Sequence, residues 1–165
     1  MSTSTLHSVD DVWAALKEVM DPEIPTISLV DLGVVTHVEL IGASGARVRM
    51  TPTFAGCPAM EYMRAQVERR LVAMGFTEVD VVVSMDVPWS TNRLTDEGRE
   101  ALKRHGLAPP PVFDGLLQLE VLNSIACPNC ESRNTELRSP FGPTLCRSLH
   151  YCRDCGEAFE GFKPI

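Results

Sequence analysis

Six cysteines are the residues best equipped for chemistry in this chain of 165 residues. Cys127 and Cys130 form one Cys-x-x-Cys pair (CPNC), and Cys152 and Cys155 form a second (CRDC), with 21 residues between the pairs. Two such loops brought together supply four thiolates in a tetrahedral array, the donor set of a structural Zn²⁺ or of a rubredoxin-like iron. Gly156, just past the second pair, suits the tight turn that this geometry needs. Disulfides are the competing chemistry, but clustered Cys-x-x-Cys pairs outside an oxidising compartment favour metal. Cys146 is a fifth thiol nearby. It reads as a small buried residue or as an additional ligand. His150 offers an imidazole beside Cys152 that could stand in for a thiolate.

Cys57 stands apart, in TPTFAGCPAMEYM. Pro58 suits the first position of a helix, which would place Cys57 at the N-cap, next to unpaired N–H groups and the positive end of the helix dipole. A thiol held there is stabilised as thiolate. Gly56 removes side-chain bulk beside it. Two chemistries are open to such a sulfur. Nucleophilic catalysis needs a base, and His7, His37 and His105 form no recognisable dyad with it. Ligation of a soft metal needs only the thiolate and space for the ion. One cysteine holds an iron–sulfur cluster loosely, and a second copy of the chain facing it would complete a labile, transferable site.

The elements that must position these residues are readable as an α+β pattern. A helix is expected from about 9 to 20, capped by Ser8, with Asp10 and Asp11 in its first turn and Asp21–Pro22 ending it. Strands are expected over 34–41 and 46–51, joined by the turn 42–45 as an antiparallel hairpin. A second helix is expected over 58–74, with Gly75 at C′, then a strand over 79–85 whose continuous apolar run suggests cover on both sides. A third helix is expected over 96–105 behind Thr95. The fold class is therefore α+β: a small three-helix domain with a short mixed sheet, in the order α-β-β-α-β-α, followed by a C-terminal zinc-ribbon β domain. The expected boundaries are 1–106 for the first domain, 107–115 for a proline-rich linker (LAPPPVFDG) and 116–165 for the ribbon. A segment as short as the last buries too little apolar surface to fold well alone, so metal binding would supply folding free energy.

Composition narrows the function classes. The chain is 44% hydrophobic and 22% charged, with 15 basic and 22 acidic residues and a net charge of −7. A balance this acidic speaks against nonspecific nucleic-acid binding. No apolar run approaches the ~18 residues of a membrane span. The start, MSTSTLHSVDD, has neither a basic nor an apolar segment, so no secretory signal is readable and a cytoplasmic location is expected. Arg64, Arg69 and Arg70 read as a solvated helix face, and Met60, Met63 and Met74 as core.

Three stretches, DPEIPTISLVDLGVV, TPTFAGCP and DVPWST, resemble the SufT-like iron–sulfur assembly domain over about residues 9–108. With the cysteine-rich C-terminal segment added, the whole chain resembles accessory proteins of the bacterial phenylacetyl-CoA epoxidase system. The resemblance implies an aid to the assembly or insertion of metal centres rather than the oxygenase chemistry itself. It implies as partners the epoxidase subunits, either the reductase with its [2Fe–2S] cluster or the di-iron oxygenase, and no nucleic acid or membrane. By position it makes Cys57 the reactive cysteine and labile iron or cluster ligand. It places Asp21, Glu23, Asp31 and Thr51 in the motifs around it, and it makes Cys127, Cys130, Cys152 and Cys155 the ribbon ligands. It also gives Cys146 a role as a possible extra ligand. Asp21 and Glu23 could bind iron, orient Cys57, or only shape a solvated turn. Trp89 could cover the cysteine pocket, anchor a partner, or fill the core. A non-catalytic structural adaptor of the oxygenase complex is the alternative function, with Cys57 incidental. A thiol-dependent enzyme is the third.

Overall fold

The computed structural model describes residues 6–112, 122–123 and 125–163. The chain divides into two compact units, Met1–Trp89 and Ser90–Ile165.

The first unit begins with helix α1 (Val9–Leu16). Its capping box is complete: the Ser8 side chain accepts from the Asp11 N–H, and the Asp11 carboxylate accepts from the Ser8 N–H at 2.7 Å. The helix ends at Leu16, a turn earlier than the apolar spacing suggests. Val19 N bonds to Leu16 O at 3.1 Å, and Met20 then forms a β-bridge with Ser28 that closes the following loop. Strands β1 (Val35–Ile41) and β2 (Gly45–Met50) form the expected antiparallel hairpin, with a register irregularity between Val35 and His37. Helix α2 (Met60–Ala73) then leads to β3 (Glu78–Val83), which pairs in parallel with β2.

The sheet order is β1-β2-β3. One face carries Val38, Ala46, Val48, Met50 and Val81, all buried against α1 and α2 together with Val12, Leu16, Met63, Val67 and Leu71. Each such aliphatic side chain contributes roughly 1.5–3 kcal/mol by leaving water. The other face carries His37, Glu39 and Arg49, and Arg47 pairs there with Asp80 at 2.7 Å. The expected two-sided cover of the third strand is corrected. Strand β3 is an edge, and Val82 and Val83 are each 36% exposed. A run of valines satisfies either environment, so apolarity alone cannot distinguish them.

The second unit opens with a 3₁₀ turn, Thr91–Arg93, and helix α3 (Asp96–Arg104), which Thr95 caps through the Gly98 N–H at 3.0 Å. Arg99 ties this helix to both flanks, donating to Thr91 O at 3.0 Å and to Pro110 O. Leu107–Ala108, at the start of the expected linker, is not a spacer. It forms β4, pairing in parallel with β7 (Ala158–Phe162), so α3 and β4 belong with the ribbon. The remaining strands, β5 (Thr135–Ser139) and β6 (Arg147–Cys152), complete a four-stranded sheet of order β4-β7-β6-β5. Residues 113–115 of the expected linker lie outside the described residues. Ala108, Leu122, Ile125, Cys127, Cys152 and Phe159 form one hydrophobic cluster of this unit, with Leu137 packed against it.

Trp89 closes the first unit. It is 7% exposed, and its Nε1–H donates to Leu32 O at 2.9 Å. Phenylalanine in its place would keep an aromatic ring but leave this buried carbonyl without its indole donor. Trp89→Phe is expected to cost about 1–3 kcal/mol in urea unfolding, with the m-value unchanged.

Candidate functional site

Two places in the fold gather the chemistry-bearing residues, one in each unit. In the ribbon unit, the sulfurs of Cys127, Cys130, Cys152 and Cys155 all lie within 4.8 Å of one another. Cys127 Sγ is 3.7 Å from Cys155 Sγ, and Cys130 Sγ is 3.6 Å from Cys152 Sγ. A tetrahedral ion with metal–sulfur bonds of about 2.3 Å requires sulfur–sulfur edges of about 3.8 Å, so the cluster fits such an ion. Cys127 and Cys152 are buried, and Cys130 and Cys155 are exposed.

The two loops that carry the sulfurs are built alike. In the first, Cys127 N donates to Ser132 O at 2.9 Å and Glu131 N to Cys127 O at 2.8 Å. In the second, Cys152 N donates to Glu157 O at 2.8 Å and Gly156 N to Cys152 O at 2.9 Å. The residue after each second cysteine is left-handed: Gly156 at φ 75° and Glu131 at φ 62°. Gly156 does this without a Cβ penalty, as its position in the sequence suggests. Glu131 is a non-glycine residue in that conformation, and the Lys103 ammonium from α3 pairs with its carboxylate.

Backbone N–H groups point at the sulfurs. That of Glu157, helped by the Asn129 side chain, draws the Cys155 thiol down to about 7. At Cys130 the Ser132 N–H also favours thiolate, but desolvation and the neighbouring sulfurs of Cys152, Cys155 and Cys127 outweigh it and push the thiol up to about 12. Burial raises Cys127 as well. Cys155 ionises readily while Cys127 and Cys130 resist, because burial and the crowding of neighbouring sulfurs disfavour further negative charge. A divalent cation reverses that balance and deprotonates coordinating thiols outright.

Cys146 and His150 are not part of the quartet. Cys146 is buried, with its sulfur 3.1 Å from Thr144 Oγ1. His150 is 1% exposed, stacked on Phe159, with Nε2 at 2.7 Å from Ser148 Oγ. Burial pushes its pKa down to about 4, so it is a neutral core residue. The sequence reading misses the polar residues that join the two loops. Asp154, between Cys152 and Cys155, accepts from Ser132 Oγ and from Asn134 Nδ2. Short polar residues around loops carry no period, and only the Cys-x-x-Cys spacing points to this neighbourhood.

In the first unit the motif residues converge on one end of the sheet. Met50 pairs with both Val35 and Val83, so the segments before β1, after β2 and after β3 all leave from that end. Thr51 N donates to Val34 O at 2.8 Å, Ser84 N donates to Met50 O at 2.9 Å, and Trp89 reaches Leu32 O. Thr51, itself 1% exposed, the turn at Asp31–Gly33 and Trp89 are thereby tied together. Cys57 follows Thr51 by six residues, on the loop that leaves this end.

The carboxylates of the motifs have structural work. Asp21 is buried, and its Oδ1 accepts from Glu23 N at 2.8 Å and Ile24 N at 2.7 Å, folding the DPEIP turn. Asp31 accepts from Ser28 Oγ at 2.7 Å, with Lys17 at 3.9 Å. Glu23 is exposed.

The expected position of Cys57 is corrected. Helix α2 has Ala59, not Cys57, as its N-cap, with no side-chain cap. Cys57 lies two residues earlier in a turn, where its N–H donates to Phe54 O and its carbonyl accepts from Met60 N, each at 3.3 Å. Gly56 at φ 79° sets that turn, and nothing lies within 4 Å of where a Cβ would stand on it. Cys57 is half-buried, so the residue is not sealed from solvent.

Two recognised protein modules match the chain, one within each unit. Residues 9–88 match the family described as iron–sulfur cluster assembly protein, and residues 117–163 match the PaaD zinc beta ribbon domain. The chain is also 29% identical over 99 residues to a protein of Porphyromonas gingivalis strain ATCC BAA-308 / W83 described as "Fe-S protein maturation auxiliary factor", covering 59% of this chain and 92% of that protein. Two solved structures are 30% identical to the chain where they align with it. A DUF59 domain from Bacillus anthracis gives a TM-score of 0.53 over 57% of this chain and 90% of that one, and TM0487 from Thermotoga maritima gives 0.50 over 57% and 92%. Over its full length, with 98% of the relative covered, the chain is 37% identical to a subunit of the "Putative 1,2-phenylacetyl-CoA epoxidase" of Escherichia coli strain K12. The chain belongs to this PaaD family. No helix among the described residues is long and apolar enough to cross a membrane.

Serine at Cys152 is expected to abolish stoichiometric metal binding and to melt the β5–β7 ribbon by circular dichroism. Serine at Cys146 is expected to leave metal content, measured by plasma emission on purified protein, unchanged.

Proposed function

We propose that this protein is an accessory factor that helps assemble or insert an iron or iron–sulfur centre in the subunits of a phenylacetyl-CoA epoxidase. In this reading it is not the catalytic oxygenase. The observation that carries it is the half-exposed Cys57 on an open, glycine-flanked loop, at the sheet end where the motifs of an iron–sulfur assembly domain meet. The iron or cluster is cargo. Cys57 loses its proton on ligating iron, and the iron–sulfur bond breaks as a ligand of the client takes its place. A single protein thiolate gives the weak, exchangeable hold that transfer requires, and a second copy of the chain supplies the further ligand.

The quartet Cys127, Cys130, Cys152 and Cys155 holds a resident Zn²⁺ that stabilises the ribbon and takes no part in transfer. Asp21, Asp31, Thr51 and Trp89 act as positioning residues that hold the loops around Cys57, and Glu23 is the exposed carboxylate beside them. The ribbon docks on the client, the reductase or the di-iron oxygenase. Phe141 and Leu145, 70% and 66% exposed, give it an apolar contact. The protein works in the cytoplasm as a homodimer.

Cells carrying Cys57→Ser are expected to make folded protein while iron content and activity of the epoxidase subunits fall severalfold. Unchanged loading of those subunits would remove Cys57 from the mechanism. A permanent stoichiometric complex on size exclusion, together with unchanged loading, would favour the adaptor instead.

A further inference from the structure

The two cysteine loops are joined by more than their sulfurs. Asp154 sits in the second loop and holds two donors of the chain around the first. Its Oδ2 accepts from Ser132 Oγ, and its Oδ1 accepts from Asn134 Nδ2 at 2.7 Å. The Ser132 hydroxyl in turn accepts from Asn134 N at 3.0 Å. Arg153 N donates to Asn134 O at 2.9 Å, extending the β5–β6 ladder one step beyond the Thr135–Cys152 pair. These bonds cross the same divide as the Cys127–Cys155 and Cys130–Cys152 contacts. Separation of the two cysteine pairs opens a route of escape for an ion held by all four sulfurs, and that separation breaks the Asp154 bonds.

We propose that Asp154 is a positioning residue for the bound metal: by gripping Ser132 and Asn134 it fixes the spacing of the two cysteine pairs and sets the rate at which the ion escapes. The proposal rests on the reading of the quartet as a metal site. Asp154 coordinates nothing itself. Partners outside a metal's ligand shell commonly change metal affinity by about 10–100-fold, because they hold ligands in register.

The test uses the full chain loaded with Zn²⁺ alone and follows zinc transfer to a chromophoric chelator, with alkylation of Cys130 and Cys155 as a second readout. Asp154→Ala is expected to release zinc roughly tenfold faster and to expose both thiols to alkylation, while the thermal midpoint of the loaded protein changes little. Asp154→Asn keeps a carbonyl acceptor and is expected to restore most of the slow release. Glu136→Ala removes the exposed Glu136–Arg153 pair next to the same loop and is expected to release zinc at the wild-type rate.

Wild-type release from Asp154→Ala, or equal acceleration by Glu136→Ala, would overturn the proposal. Should Asp154→Ala fail to fold, Ser132→Ala and Asn134→Ala each remove one arm and are each expected to give part of the acceleration; wild-type rates in both would overturn it. Wild-type protein that retains no zinc would overturn the metal reading and this proposal together. Zinc retained with release unaffected by any of these variants would overturn this proposal alone.

Discussion

Four sulfurs gathered within 4.8 Å of one another cannot all carry negative charge unless a cation sits among them. The ribbon unit is organised around that electrostatic constraint. Backbone N–H groups favour thiolate at each loop, yet Cys130 is pushed up to about 12 by desolvation and its neighbours, while Cys155 falls to about 7. In one apolar cluster of this unit, two of the six buried members are the cysteines Cys127 and Cys152 themselves. An ion bound by the four sulfurs would therefore also fix two of the side chains with which Ile125 and Phe159 cluster.

The first unit solves a different problem by different means. Its motif loops are held by hydrogen bonds from neutral groups and by short-range carboxylate turns, rather than by an ion. Asp21 folds its own loop, Asp31 is held by Ser28, and Trp89 reaches across to Leu32. This leaves Cys57 partly exposed on a loop whose neighbours are fixed. The first unit thus carries one half-buried cysteine on a loop, and the second gathers four, two buried and two exposed.

Much of this is legible in the residues alone. The Ser8 and Thr95 caps, the 35–50 hairpin and the quartet each rest on local chemistry that a sequence states directly: a hydroxyl before an amphipathic run, a glycine-bounded turn, a ligand spacing. The failures lie where local chemistry has two solutions. Pro58 fits the first turn of a helix and equally a turn that precedes one, so the residues alone set Cys57 two positions too close to the helix. Valine suits an edge and an interior strand, and β3 is an edge. Leu107–Ala108 is too short to show a period, and the prolines after it read as linker although the pair extends the ribbon sheet. A carboxylate beside proline looks the same whether it binds a metal or caps a turn, and Asp21 caps. Asp154 is invisible in the sequence because its partners, twenty and more residues away, join it only once the sheet has formed.

The near-symmetry of the two cysteine loops is imperfect at one position. Where one has Gly156, the other has Glu131 in the same left-handed backbone. Such a conformation costs a side-chain-bearing residue roughly 1–2 kcal/mol, and an exposed ion pair such as that with Lys103 returns less than this. The halves are therefore unequal in local backbone cost. The glycine half takes its turn freely, while the glutamate half takes the same turn against the preference of a side-chain-bearing residue, held by the Glu131 N–H to Cys127 carbonyl bond and the Lys103 pair.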